Sequence, residues 1–210
     1  REAIAAAGPK VNEAMAVLLE AGRDIVVKEM EEQQQEKAKV VEDVAERELL
    51  GAASVIKAAM AKLMAAQTAA RKEASAKGIT LDEAGISEEI VEAARVVVAS
   101  SGDLLARATE AQRELTGSDQ GGEKKRSMYQ ADPKWEQGLI SAAKAVAGSV
   151  QFLVKAANDH MRGSTSEYAI IAGAKTVAAN AAQLQASTKA KLPLDSPRLV
   201  AVTSASGAVS

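Results

Sequence analysis

The feature that most constrains this chain is the spacing and the size of its apolar residues. They recur at alternating intervals of three and four, and most of them are alanine. Hydrophobic residues make up 47% of the chain, yet aromatics are only 2%. A 3/4 spacing puts the apolar side chains on one side of an α-helix. Alanine favours the helix and lets neighbouring helices approach closely. No segment alternates strictly or is rich in β-branched and aromatic residues, so no sheet is expected. The stripes are narrow, and each helix needs neighbours to cover it.

Five full helical patterns and a sixth, cut one follow. The first covers about 9–37, with Val11, Ala14, Leu18, Ala21 and Ile25 in its stripe. The second covers 44–76, with Leu49, Ala52, Ile56, Ala59, Leu63, Ala66 and Ala70. The third runs over 87–116 through Ile90, Ala94, Val97, Ser101, Leu104, Ala108, Ala111 and Leu115. The fourth, 133–161, aligns Trp135, Leu139, Ala142, Val146, Val150, Leu153 and Ala157. The fifth, 165–191, aligns Ile171, Ala174, Val177, Ala181, Leu184 and Thr188. The sixth begins at Pro197 and runs to 210. The predicted fold class is therefore all-α: an up-and-down antiparallel five-helix bundle over 44–210, with a helix before it and a truncated last helix.

Boundary signals agree with this division. Asp132-Pro133 pairs a capping residue with proline at the first helical position. Thr80-x-x-Glu83 and Ser164-x-x-Glu167 have the spacing of capping boxes, and Asp195-Ser196-Pro197 is another start. The clearest loop is 117–122, followed by the basic triplet Lys124-Lys125-Arg126. The stretch 29–43, dominated by Glu, Gln and Lys, either continues the first helix as an exposed rod or links it to the bundle. It is taken as the junction, so residues 1–43 are read as a leading helix and linker, the end of a preceding rod domain. The chain opens on Arg1 and stops at Ser210 inside a helical pattern, which reads as a piece of a longer protein.

Charge and motifs exclude several functions. With no cysteine there are no disulfides or thiolate metal sites, which suits a reducing compartment. No uninterrupted apolar run reaches the roughly 18 residues of a membrane span, and no signal peptide is seen. The lone His160 beside Asp159 lacks a nucleophile, and neighbours on a helix point apart, so it is read as a helix-terminal histidine favoured by the dipole. No phosphate-loop, dinucleotide or metal spacing occurs, so no enzyme, cofactor or metal is expected. Scarce aromatics argue against nucleic acid. The net charge of −2 conceals a division. Residues 1–132 hold 18 Lys+Arg against 24 Asp+Glu, and residues 133–210 hold 8 against 4. The second part, at +4, suits an acidic partner.

The fourth pattern reads WEQGLISAAKAVAGSVQFLVKAAN over 135–158. It resembles the second block of the I/LWEQ actin-binding module found at the C-terminus of talin and of the huntingtin-interacting endocytic adaptors. IVEAARVVVASSGDLLARATEAQREL over 90–115 looks like the first block, and GAKTVAANAAQLQASTKAKLPLDSP over 173–197 like the third. ELLGAASVIKAA over 48–59 is similar to the helix upstream of the module, and together with AQREL it favours talin over the adaptors.

The resemblance implies a five-helix bundle that binds F-actin, on the cytoplasmic side of membranes at adhesion or endocytic sites. It places the contact at Lys189-Ala190-Lys191, with alanine where the family usually has valine. Lys144, Lys155, Lys175 and Arg198 are added from local charge. In the family the upstream helix dampens actin binding, and a terminal helix absent from this chain makes a homodimer. The helix carrying Leu49, Ala52, Ile56 and Leu63 also resembles talin helices captured by vinculin, beside a plain core-packing role.

Overall fold

A computed structural model describes residues 2–116, 133–190 and 192–209. Side chains are described within them except at 2–14, 34, 35, 38, 39, 41–43, 114–116 and 133–136. Among these residues there are five helices and no strand: α1 Glu2–Ala76, α2 Glu88–Thr116, α3 Pro133–Met161, α4 Glu167–Lys189 and α5 Pro197–Gly207. The chain divides into two compact units, Arg1–Val41 and Glu42–Ser210.

Of the two readings of 29–43, the continued helix is the one observed. α1 runs without a break from Glu2 to Ala76. Residues 23–50 contain neither glycine nor proline, and Glu, Gln, Lys and Ala are all strong helix formers. α1 also starts at Glu2 rather than at Pro9. In the first unit the described members of the expected stripe are exposed, Leu18 at 71% and Ile25 at 59%; the side chains of Val11 and Ala14 lie outside the described residues.

The second unit is held together as the stripes predict. Leu49, Ala52, Ile56, Ala59 and Leu63 of α1 join one core with Val91, Val98, Leu104 and Leu105 of α2 and Leu139, Val146, Val150 and Leu153 of α3. Ile170, Val177, Ala181 and Leu184 of α4 and Leu199 and Val202 of α5 complete it. The side chain of Trp135 lies outside the described residues. α2 packs on α3, α4 and α5, and α4 packs on α3 and α5. Three buried hydroxyls are satisfied within their own helices. Ser101 donates to the Val97 carbonyl at 2.7 Å, Thr109 to Leu105 at 2.9 Å and Thr188 to Leu184 at 2.9 Å.

α3 and α4 are antiparallel and approach closely. A Cβ added at Gly173 would lie 3.1 Å from the Leu153 Cα. Asn180 Nδ2 donates to the Ala145 carbonyl at 3.1 Å, fixing the register further along. This register corrects one stripe. Ile170 is buried and Ile171 is 43% exposed, the reverse of the expected choice. The buried set Ile170, Gly173, Val177, Ala181, Leu184 and Thr188 keeps the 3/4 spacing once glycine counts as a core residue.

The turns also follow local chemistry. Gly78 ends α1 at φ 70°, and the Ile79 N–H returns to the Ala74 carbonyl at 3.1 Å. Gly163 does the same after α3 at φ 71°, with the Ser164 N–H on the Asp159 carbonyl at 2.9 Å. These are the closing bonds of a helix ended by a left-handed residue. The Thr80–Glu83 box forms. The Thr80 N–H donates to Glu83 Oε2 at 2.7 Å and the Glu83 N–H to Thr80 Oγ1 at 3.2 Å. The Thr80 N–H, and after it the Thr80 hydroxyl 3.1 Å from Glu83 Oε2, hold the pKa of the Glu83 carboxyl below its ordinary value.

The Ser164–Glu167 box does not form. Ser164 Oγ donates back to the Asp159 carbonyl at 2.8 Å, and Ser166 takes the N-cap of α4. The glycine stop after α3 claims Ser164 before α4 begins. α5 ends at Gly207 rather than running to 210; glycine is a poor interior helix residue.

The α3–α4 contact predicts the cost of filling it. Gly173→Leu should destabilise the second unit by about 1–3 kcal/mol through overpacking, read as a lower midpoint in urea unfolding. An unchanged midpoint would show that the two backbones are free to separate.

Candidate functional site

The six sequence-derived cations are not equivalent once folded. Lys144 on α3 pairs with Glu48 of α1 at 2.9 Å. Lys155 pairs with Asp159 one turn away at 2.5 Å. Arg198 at the start of α5 bonds Glu110 of α2 at 3.0 Å and is only 33% exposed. Lys175 and Lys189 are exposed on α4 and make no ion pair with any described residue. Lys191 lies outside the described residues, as does the triplet Lys124-Lys125-Arg126.

α4 arranges its two lysines on one outer line. Tyr168, Ile171, Lys175, Ala179, Ala182, Ala186 and Lys189 are all exposed and follow the 3/4 spacing. Lys175 and Lys189 are fourteen residues apart, about 21 Å along the axis at 1.5 Å per residue. The stretch between them is alanine, so it is flat enough for another surface to reach both charges. α3 runs antiparallel beside it and contributes Phe152 and Lys155 to its own exposed face. Phe152 is the chain's single phenylalanine, and it is 54% exposed while the core is built of alanine, valine and leucine.

Sequence reasoning missed Phe152, Tyr168 and Ile171 as surface residues. The signal was present for Phe152, which falls off the stripe defined by Leu139, Val146, Val150 and Leu153. A large apolar side chain outside the buried stripe is exposed by geometry. Ile171 could not be told from Ile170, because only the register against Leu153 decides between them.

Leu49, Ala52, Ile56 and Leu63 of α1 are all buried. The edge of α1 beside them is tied to the bundle by charge. Arg113 of α2 bonds Glu46 at 2.5 Å, Glu48 holds Lys144, and Arg71 pairs with Glu88 at 3.0 Å. His160 is not an exposed helix-end side chain. It is buried, with Nδ1 3.2 Å from the Thr165 carbonyl, and its neighbour Asp159 is engaged by Lys155. The two therefore form no acid–base pair. Among the described residues no group of three His, Cys, Asp or Glu is placed to hold a metal.

An alanine-rich block with a tryptophan at its start, a close-packed partner helix and a lysine-ended α4 define the second half of the unit. Residues 129–210 match the I/LWEQ domain. The chain carries an I/LWEQ domain. It is 46% identical to Talin-B of Dictyostelium discoideum over 156 residues, which is 74% of this chain and 6% of the relative. It is 40% identical to Talin of Oscarella pearsei over 166 residues, 79% of this chain and 6% of that protein. With Huntingtin-interacting protein 1 of Homo sapiens it shares 28% over 171 residues, 80% of this chain and 16% of that one. The chain thus spans about 6% of the talin relatives it matches.

The exposed apolar residues serve no packing role. Phe152→Ser with Ile171→Ser should leave the unfolding free energy from urea titration within about 0.5 kcal/mol of the parent, as for ordinary surface positions. Val150→Ala, in the core, should lower it clearly. Equal losses would mean that Phe152 and Ile171 are part of the core.

Proposed function

We propose that this chain is an actin-filament-binding module of the talin type, which connects adhesion or other membrane sites to F-actin at the cytoplasmic face. The outer line of α4 carries the reading. Lys175 and Lys189 flank an alanine floor, and Tyr168 and Ile171 supply apolar area on the same line. An actin filament is acidic on its exterior, so lysines with no competing carboxylate are attracted over distance and retained on contact. The apolar residues give the contact a desolvated centre that lysines alone lack. Both talins and a huntingtin-interacting protein among the relatives support an actin-binding module. An endocytic adaptor is the alternative setting, in keeping with the likeness to Endocytosis protein end4 of Schizosaccharomyces pombe at 27% identity over 151 residues.

The upstream part of α1 is the proposed restraint. Glu48 occupies Lys144, so a lysine that could join the filament contact is neutralised while α1 is docked. The pair is half exposed and its energy is small, about 0.2–1 kcal/mol. It therefore tunes binding rather than switching it. A helix-capturing partner such as vinculin would reach Leu49, Ala52, Ile56 and Leu63 only after α1 leaves the core. Residues 1–43 are proposed as the end of a preceding helical domain, and dimerisation through a further helix would strengthen filament binding by avidity.

Cosedimentation with actin filaments tests the surface. Lys175→Glu with Lys189→Glu and Lys191→Glu should weaken pelleting by about tenfold or more. Unchanged pelleting would remove α4 as the contact. Glu48→Lys, which frees Lys144 and weakens the hold on α1, should strengthen pelleting up to about fivefold. Weaker pelleting by a folded Glu48→Lys variant would count against the restraint.

A further inference from the structure

Opposite its buried stripe, the second half of α1 presents a face that the α3–α4 surface does not use. Between Leu49 and Lys72 α1 has four cations, Lys57, Lys62, Arg71 and Lys72, and no carboxylate. Arg71 is held by Glu88. Lys57, Lys62 and Lys72 are exposed and pair with no described residue. At 100° per residue all three fall on the half of the helix turned away from Leu49, Ile56 and Leu63, spread over about 22 Å. The carboxylates bordering this face are already engaged. Glu46 is on Arg113, Glu48 is on Lys144, and Glu73 is on Lys77 at 2.7 Å. Charge on the face is therefore uncompensated.

Between its lysines this face is mostly alanine, at Ala58, Ala61 and Ala65, and Leu50 and Met64 lie toward its Lys57 side. Leu50 and Met64 are each 49% exposed. The segment Val44–Ala76 is apolar enough to cross a membrane by composition, yet only 28% of its most apolar stretch is buried. In α3 the corresponding share is 56%. An apolar strip edged by unpaired lysines is the composition of the α3–α4 surface repeated on a different helix.

We propose that this α1 face is a second filament-binding surface, so that one chain bridges two actin filaments without self-association. The inference rests on the filament-binding reading above. A filament repeats its acidic exterior at every subunit, so a second face of like charge and apolarity fits the same polymer. The face and the α1 restraint are compatible. Glu46 and Glu48 lie on the edge of α1 against the bundle, whereas Lys57, Lys62 and Lys72 look outward. Docked α1 therefore limits the first contact while supplying the second.

The experiment uses the full chain and its Lys57→Glu, Lys62→Glu, Lys72→Glu variant, with circular dichroism and ultracentrifugation to establish folding and a monomer. High-speed pelleting reads binding to single filaments, and low-speed pelleting reads bundles. The parent should pellet at high speed and form bundles. The triple variant should keep high-speed pelleting within about twofold while low-speed bundling falls about tenfold. Bundling that persists in the triple variant, or that tracks a dimer of the parent, overturns the proposal. High-speed pelleting without bundles by the parent overturns it and leaves the filament-binding reading standing. Absence of pelleting at either speed defeats both. Vesicles of phosphatidylserine provide the remaining arm. If the triple variant loses vesicle binding and keeps bundling, the face serves an anionic membrane and the proposal fails.

Discussion

The contact on which the second unit depends is the approach of α4 to α3 at Gly173. There the glycine has no side chain to hold the helices apart, and a Cβ would meet the Leu153 backbone at 3.1 Å. This close approach sets the register. It turns Ile170 and Val177 inward, and it turns Ile171 and Lys175 outward. An alanine-rich core gives little hydrophobic free energy per residue, so stability has to come from many close contacts between helices. The exposed surface follows from the same geometry. A line of alanines between two lysines is flat because each alanine projects only a methyl group, and the register turns that line outward.

α1 relates to the rest of the second unit differently. Its inner stripe is part of the common core, but its edge is fastened by ion pairs that bridge to α2 and α3 at partly exposed positions. Surface pairs of this kind contribute little each and weaken with salt. The helix is therefore firmly packed by area and lightly held by charge. That combination suits a helix whose position is to be adjusted rather than fixed. Ion pairing at its edge also clears its outward face of carboxylate competition, leaving Lys57, Lys62 and Lys72 uncompensated.

Much of the bundle was legible in the residues alone, because a 3/4 stripe has one geometric solution. Leu49, Ile56, Leu63, Val146, Val150 and Leu184 all lie in the core as their spacing predicts. The misses have physical causes. Ile170 and Ile171 are equivalent in composition, and only a glycine counted as a core residue distinguishes them. The stretch at 29–43 is polar enough to read as a linker, but polarity does not break a helix when most of its residues are Glu, Gln, Lys, Met and Ala and it holds neither glycine nor proline. Ser164 has the spacing of a capping residue, yet the glycine stop before it competes for its hydroxyl. At the site, lysines could be placed on helices from the sequence, but their partners could not. Lys144 and Arg198 meet carboxylates on α1 and α2 far away in the chain. Phe152 carried the clearest unread signal, a large apolar residue off the buried stripe.

The central claim is that the outer line of α4 is the face that meets an acidic filament. A helical reconstruction of actin filaments sparsely decorated with the full chain tests it most directly. The account predicts α4 seated on the filament, with Lys175 and Lys189 within ion-pair distance of actin carboxylates and Ile171 in the buried centre. Density with α2 or α5 against the filament and the outer line of α4 facing solvent would contradict it.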